Sequence, residues 1–331
     1  MTRTIMAALA CAASLPAQTP TTAGGTYTFA TLHTLRNFQE AVTIVRTVAD
    51  VPQVSADADH SAMTLRGPVD LVKFAAWILT QIDRAAGDTG VHEYALPSGE
   101  VGRVRFLVNA TSTQQTQEML TILRTVGDVR RIFNLSSNSA LVFRGPKWQV
   151  DFADWMIDEL DQPAKKQPEP PPVSFTVGGP DVPGVGHDAR LNFVKNLTSP
   201  VQTQEMITVL RTVGDVMKVF TYSSSHALVF RADDAGVERA EWLIQQLDLP
   251  PGQGTGMKTY TASAGDDVTR VFYLTNPAPG GQRTAVAGLH SDLGLKKLFF
   301  TTSPAAVVVR GTTDEVGAAT QWMASHNALG E

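Results

Sequence analysis

Seven histidines stand at positions 33, 60, 92, 187, 226, 290 and 326, and no pair has a metal-ligand spacing such as HxxxH. The densest polar cluster is SADADH at 55–60, where Asp57, Asp59 and His60 offer metal-ligand types. It lies between two short runs with strand character, so it reads as a solvated hairpin turn and not as a metal site. No GxSxG elbow, phosphate loop or dinucleotide fingerprint occurs, and GGPDVPGVG (178–186) is glycine-rich without matching a phosphate loop. Arginine and aspartate do recur at fixed places: Asp50, Asp128 and Asp215, and Arg66, Arg144, Arg231 and Arg310. Catalysis would need a nucleophile or general base recurring beside them, and none does. The expectation is therefore ion pairs or caps, with no catalytic residue, cofactor or metal, and a chain that is not an enzyme.

Those fixed places come from internal repeats. LRTVGDV occurs at 123–129 and again at 210–216, within the longer pair TQEMLTILRTVGDV and TQEMITVLRTVGDV. SALVFR (139–144) is answered by HALVFR (226–231), and a weaker copy of the first motif, AVTIVRTVADV, lies at 41–51. From Arg46, Arg124 and Arg211, a strand-ending arginine follows 20 residues later (Arg66, Arg144, Arg231) and a tryptophan 11 residues after that (Trp77, Trp155, Trp242). Each of these three units closes on an aspartate: Asp83, Asp161 or Asp248. A fourth unit fits more loosely, with Arg310 and then Trp322.

Each unit carries the same succession of patterns. An alternating run opens it, as in RVRFLVN (103–109) and RLNFVKN (190–196), and period-two alternation reads as strand. A helix follows. Ser199-Pro200-Val201-Gln202 has the marks of a helix start, and Met206, Val209, Leu210 and Val213 form one apolar face. Gly127 and Gly214 stand where a left-handed residue would end that helix, while Ala49 departs from the pattern at an expected cost. A hairpin comes next, RRIFNL-SSNS-ALVFRG in unit two, and then a second helix bearing the tryptophan on its apolar face. The tryptophans are thus expected in the core.

The fold expected is α+β: four tandem βαββα modules, each with two helices on one face of a three-stranded sheet. The module boundaries are 24–84, 91–164, 173–250 and 257–328. Short extra strands, EYALP (93–97), SFTV (174–177) and KTYTA (258–262), precede units two to four. The longest linker, QPAKKQPEPPP (162–172), is a semi-rigid spacer and suggests two pairs of modules. A sheet covered on one face should alternate apolar and polar residues. Yet Ala140-Leu141-Val142-Phe143 and Ala227-Leu228-Val229-Phe230 are apolar throughout, so Val142 and Val229 mark a second face that something must cover. Thr64 holds that position in unit one, whose face is expected to stay exposed.

The chain has 331 residues, a net charge of −5, 43% hydrophobic and 18% charged residues, an ordinary soluble composition. The negative charge counts against broad binding to nucleic acid or an anionic membrane. Arg3, the apolar run Ile5–Leu15 and Ala17 read as a signal peptide over 1–17, so the protein is expected to be exported to the periplasm. The single cysteine, Cys11, lies inside it, and ALAC is a poor lipoprotein match, so outer-membrane lipidation is not the favoured reading. Once the signal is removed no disulfide is available, and no later apolar run is long enough to span a membrane.

The succession RTVGDV, SALVFRG and WMIDELDQP in unit two, with RTVGDV, HALVFRA and WLIQQLDLP in unit three, resembles the periplasmic N-domain repeats of bacterial secretins, the NolW-like, ring-building and KH-like modules. Unit one matches with TLRG and WILTQID, and unit four keeps VVVRG without the closing Leu-Asp. The resemblance implies ring assembly and docking to envelope proteins, a secretin or further copies of the chain, within a type II secretion or type IV pilus system. It does not imply a pore, because the β-rich channel region of secretins has no counterpart here. A KH-like fold raises nucleic acid as a ligand, but no GxxG loop lies between the expected helices. The other reading is an exported glycan- or peptide-binding protein that uses the modules as a scaffold.

Overall fold

The computed structural model describes residues 22–84, 90–163, 172–176, 188–250, 252–263, 265–275 and 279–326. The expected signal segment with Cys11, the linker residues 164–171 and the glycine-rich 178–186 lie outside them.

Module one comprises β1 (Thr22–Thr28), α1 (Leu35–Thr47), β2 (Gln53–Asp57), β3 (Ala62–Pro68) and α2 (Val69–Ile82). Module two runs β4 (Val91–Ala95), β5 (Glu100–Phe106), α3 (Thr113–Thr125), β6 (Arg131–Leu135), β7 (Ala140–Pro146) and α4 (Lys147–Leu160). Module three has β8 (Val173–Thr176), β9 (Asp188–Phe193), α5 (Pro200–Thr212), β10 (Lys218–Tyr222), β11 (Ala227–Ala232) and α6 (Asp234–Leu247). Module four has β12 (Met257–Thr261), β13 (Val268–Tyr273), α7 (Gly281–Leu293), β14 (Lys297–Thr302), β15 (Ala305–Gly311) and α8 (Thr313–Ser325). The sheets are antiparallel, ordered β1-β3-β2, β4-β5-β7-β6, β8-β9-β11-β10 and β12-β13-β15-β14. The extra strands thus join the expected three-stranded sheets of modules two to four as a fourth, edge strand.

Local chemistry sets the element ends. Ser112 with Gln115, and Ser199 with Gln202, close reciprocal capping boxes on α3 and α5, satisfying amides that a helix start leaves unpaired. The closing aspartates return to the loop after the opening strand. Asp83 accepts the amides of Ala30 (2.6 Å) and Thr31 (2.8 Å), Asp161 those of Asn109 and Ala110, and Asp248 those of Lys195 and Asn196. This ties the end of each second helix to the start of its own module. Burial alone would push the Asp83 carboxyl up, but the amides and the Thr31 hydroxyl hold it below its ordinary range.

The left-handed residue after the first helix is the aspartate and not the glycine before it. Asp50, Asp128 and Asp215 have φ of 56°, 57° and 59°, a conformation that Asp tolerates better than most residues. The expectation for Gly127 and Gly214 is corrected accordingly. What glycine spares at Gly127 is a contact, since a Cβ there would stand 2.5 Å from the Leu123 carbonyl oxygen. Ala49, fully buried, is not the left-handed residue, so the penalty expected from that conformation does not apply to it.

The modules stack. Each sheet lays one face on its own two helices and, in modules two to four, the other face on the helices of the module before. Val104, Phe106, Ala140 and Val142 belong to one core with Ile44, Phe74 and Ile78 of module one. Leu191, Tyr222 and Val229 join the core of module two, and Val271, Tyr273, Ala306 and Val308 join that of module three. This is why the third strands are apolar at every position: Leu141 and Phe143 face their own helices while Ala140 and Val142 face a neighbour's. Module two meets module three as modules one and two meet, with α3 on β10 as α1 lies on β6. The two-pair arrangement suggested by the linker is corrected by this third, equivalent junction.

Candidate functional site

The polar residues that recur in the sequence converge on these junctions, and the same contacts are built three times. Glu40 on α1 accepts the backbone amide of Ser136, in the hairpin turn of module two, at 2.8 Å. Glu118 does the same for Ser223 in module three and Glu205 for Thr302 in module four, both at 2.8 Å. Ten residues after each glutamate, the left-handed aspartate receives the strand-ending arginine of the next module. Arg144 bonds Asp50 (3.3 Å), Arg231 bonds Asp128, and Arg310 bonds Asp215 (2.6 Å). The first hairpin strand adds a second cation to each carboxylate: Arg131 to Asp50 (2.8 Å), Lys218 to Asp128 and Lys297 to Asp215 (2.5 Å).

Electrostatics follow from this enclosure. Burial would push the Asp128 carboxyl up, but the Lys218 ammonium and Arg231 guanidinium outweigh it and hold it below its ordinary range. Lys297 and Arg310 do the same for Asp215. The side chain of Arg231 has no exposed surface, and burial draws its own pKa down. Its guanidinium also lies 5.6 Å from the ring centre of Phe152, as Arg144 lies 5.9 Å from Phe74. In module three Arg239 stands where Phe74 and Phe152 stand in modules one and two, and the added charge is met by Asp267, which bonds both Arg239 (2.8 Å) and Arg310 (2.7 Å). A carboxylate with a depressed native pKa contributes stability above its unfolded value near pH 4 and loses it as pH falls through the native value. Denaturant midpoints should therefore drop below about pH 4, and less steeply in an Asp128→Asn/Asp215→Asn variant than in the parent.

The tryptophans lie at the rim of the cores, half-buried, rather than inside them as expected. Trp77, Trp155 and Trp242 each reach the edge strand of the next module. Trp77 meets Tyr94 with tilted rings 5.3 Å apart between centres, Trp155 meets Phe175 at 5.3 Å and Trp242 meets Tyr260 at 5.7 Å. Trp322 has no such strand beside it among the described residues and stacks on His326. Trp155→Ala should cost about 2 kcal/mol, less than a fully buried aromatic would. The check is the urea midpoint, with Trp322→Ala expected to shift it less.

Arg66, the first of the strand-ending series, is exposed and makes no ion pair among the described residues. Thr64, in the register of Val142, bonds Thr26 on the open face of module one. Val142 and Val229 are fully buried between modules. The glutamates Glu40, Glu118 and Glu205 were not separated from the sequence pattern, although the recurring QE pair carries them. Asp57 and His60 pair with each other at 2.7 Å on an exposed turn. Among the described residues no group of three metal-ligating side chains is found, and no helix is long and apolar enough to cross a membrane. A cavity of about 300 Å³ lies in module three, lined among others by Val194, Thr198, Gln204, Ile207, Tyr222 and His226.

No known protein family matches the sequence, and no curated protein matches it. Among solved structures the chain is similar to two secretin N-terminal-domain structures. One is XcpQ N012, with 12% identity, a TM-score of 0.19, and coverage of 43% of this chain and 61% of that one. The other is ExeD of Aeromonas hydrophila, with 15% identity, a TM-score of 0.17, and coverage of 89% and 60%. Aspartate kinase from Synechocystis overlaps with 10% identity and a TM-score of 0.18. The chain spans about three-fifths of the first two structures, and overlaps this low define no shared arrangement. The class of the protein is therefore set by its own geometry: a mixed α/β array of stacked repeats.

Proposed function

We propose that this chain is a non-enzymatic, exported assembly or interaction protein of the secretin N-domain-like kind, part of or accessory to a type II secretion or type IV pilus system. One observation carries the reading. The charged residues that the repeats share, Glu40, Asp50, Arg144 and their copies, are engaged in holding modules together, which gives them a structural use instead of a chemical one. The motif resemblance to secretin repeats supplies the choice of system. Stacked modules of this kind make a rigid arm that presents surfaces at set intervals, which suits docking in the envelope.

In-cell crosslinking of a tagged full-length chain, followed by mass spectrometry of the envelope fraction, tests this. Capture of a channel-forming secretin or a pilus-assembly protein is expected. Recovery of the chain in the cytosolic fraction, crosslinked to no envelope protein, would contradict it. The module-three cavity, where Val194, Leu197 and Ile207 alternate with hydrogen-bonding side chains such as Thr198, Gln204 and His226, favours a second reading as a glycan- or peptide-binding scaffold. Saturable thermal stabilisation by a glycan or peptide, removed by Ile207→Trp, would select that reading instead.

A further inference from the structure

We infer that the outer sheet face of module one and the outer helix face of module four are closed to a further copy of the module, each by its own device. Equivalent positions in the four repeats differ at these two faces, whatever the chain's function.

A stacking contact needs an apolar sheet face on one side and an apolar helix face on the other. The sheet register identifies the outward positions. Val104 pairs Val142, Leu191 pairs Val229 and Val271 pairs Val308, and all six are fully buried between modules. The same pair in module one is Thr26 and Thr64. On the neighbouring strand Phe133, Phe220 and Phe299 lie opposite Val142, Val229 and Val308, and module one has Ser55 there. Gln53 replaces the second cation of each junction, Arg131, Lys218 or Lys297. At these positions the sheet has thus changed from apolar or charged to small or neutral polar, while Arg66 and Ala62, the counterpart of Ala140, Ala227 and Ala306, are kept. Its hydroxyls satisfy one another or face water, so covering it would gain little apolar burial.

The opposite end changes in a different way. Leu210 on α5 and Leu289 on α7 are equivalent, both fully buried and 79 residues apart. With that alignment the junction glutamate Glu205 becomes Thr284, and the left-handed aspartate Asp215 becomes Gly294, still left-handed at φ 68°. The fully buried Val209 and Val213 become Gly288 and the exposed Asp292. Trp322 differs from Trp77, Trp155 and Trp242, which also reach an aromatic residue of the next module. It folds onto its own module, over Gly288, where an added Cβ would meet the indole at 2.2 Å. Its Nε1 donates to Asp292 at 2.8 Å, which fixes it there. The residue that elsewhere grips the next module here covers the surface that the next module would need. Repeat arrays require polar terminal units to stay soluble, and a head-to-tail contact left open at both ends would build filaments.

Mixing complementary revertants tests this. The first variant restores the sheet face (Gln53→Lys, Ser55→Phe, Thr26→Val, Thr64→Val). The second restores the helix face (Thr284→Glu, Gly288→Val, Asp292→Val, Gly294→Asp). Because valine at 288 displaces Trp322, a milder third variant omits that change. Light scattering at micromolar concentration should give the wild-type mass for each variant alone and twice that mass for an equimolar mixture of the first with the second or third. Folded variants, judged by circular dichroism, whose mixture keeps the wild-type mass would overturn the inference. So would wild-type protein whose mass grows with concentration and ceases to grow on Arg66→Glu or Thr64→Glu.

Discussion

Val229→Asp should destabilise the protein by at least about 4 kcal/mol, whereas Thr64→Asp, in the equivalent register, should change it by less than about 0.5 kcal/mol. Val229 is fully buried in the core shared by modules two and three, among side chains that offer its carboxylate no partner. A charge placed there is either desolvated or forces the two modules apart, and both cost several kcal/mol. Thr64 sits on the open face of module one, so the same carboxylate is solvated there. Urea unfolding followed by tryptophan fluorescence checks the pair, since Trp155 and Trp242 lie at the two junctions that flank module three. Equal effects of the two substitutions would mean that the outer face of module three is as open as that of module one.

The second large effect is expected from Asp128→Ala. Removing this carboxylate leaves Arg231 wholly enclosed, with two of its nitrogens already unpaired and only the Phe152 ring beside it. Breaking a buried pair typically costs about 3–5 kcal/mol. Asp128 is about one-third open to water, which lowers the expectation to about 2–3 kcal/mol. Arg231→Met should cost less, because it removes the buried charge along with the pair. In the double variant the two losses should not add, and chemical denaturation of all four proteins gives the coupling energy. A fully additive cycle would show that the two side chains do not meet.

Much of this architecture was legible in the sequence, and what was not has a physical reason. Period-two and helical patterns, the capping residues at Ser112 and Ser199 and the spacing of the repeats gave the element order, because these signals are local. The doubly apolar strands Ala140–Phe143 and Ala227–Phe230 showed that a second face was covered, but not by what. The Arg–Asp pairing stayed hidden for a simpler reason. Aligning repeats places Arg144 beside Asp128 in the same unit, while the structure pairs Arg144 with Asp50 of the unit before. The tryptophans were read as core because they lie on an apolar helix face. Their true use depends on Tyr94, Phe175 and Tyr260, which belong to edge strands of the following module. Glycine is the usual left-handed residue, which points to Gly127, whereas an aspartate one position later accepts that conformation and gains two cations for its carboxylate.

Each module's helices lie on the next module's sheet, held by the aspartate at the end of the first helix. A zero-length carbodiimide crosslink tests this directly, since it joins only a carboxylate and an amine already in contact. Asp128 touches Lys218 and Asp215 touches Lys297 across two successive junctions, 90 and 82 residues apart in sequence. Lys147 and Asp151, at 2.8 Å within one helix, serve as the internal control. Peptide mass spectrometry of the monomer fraction should find the Asp128–Lys218 and Asp215–Lys297 links along with the control link. Recovery of the Lys147–Asp151 link with neither of the other two would show that the modules do not stack in this register.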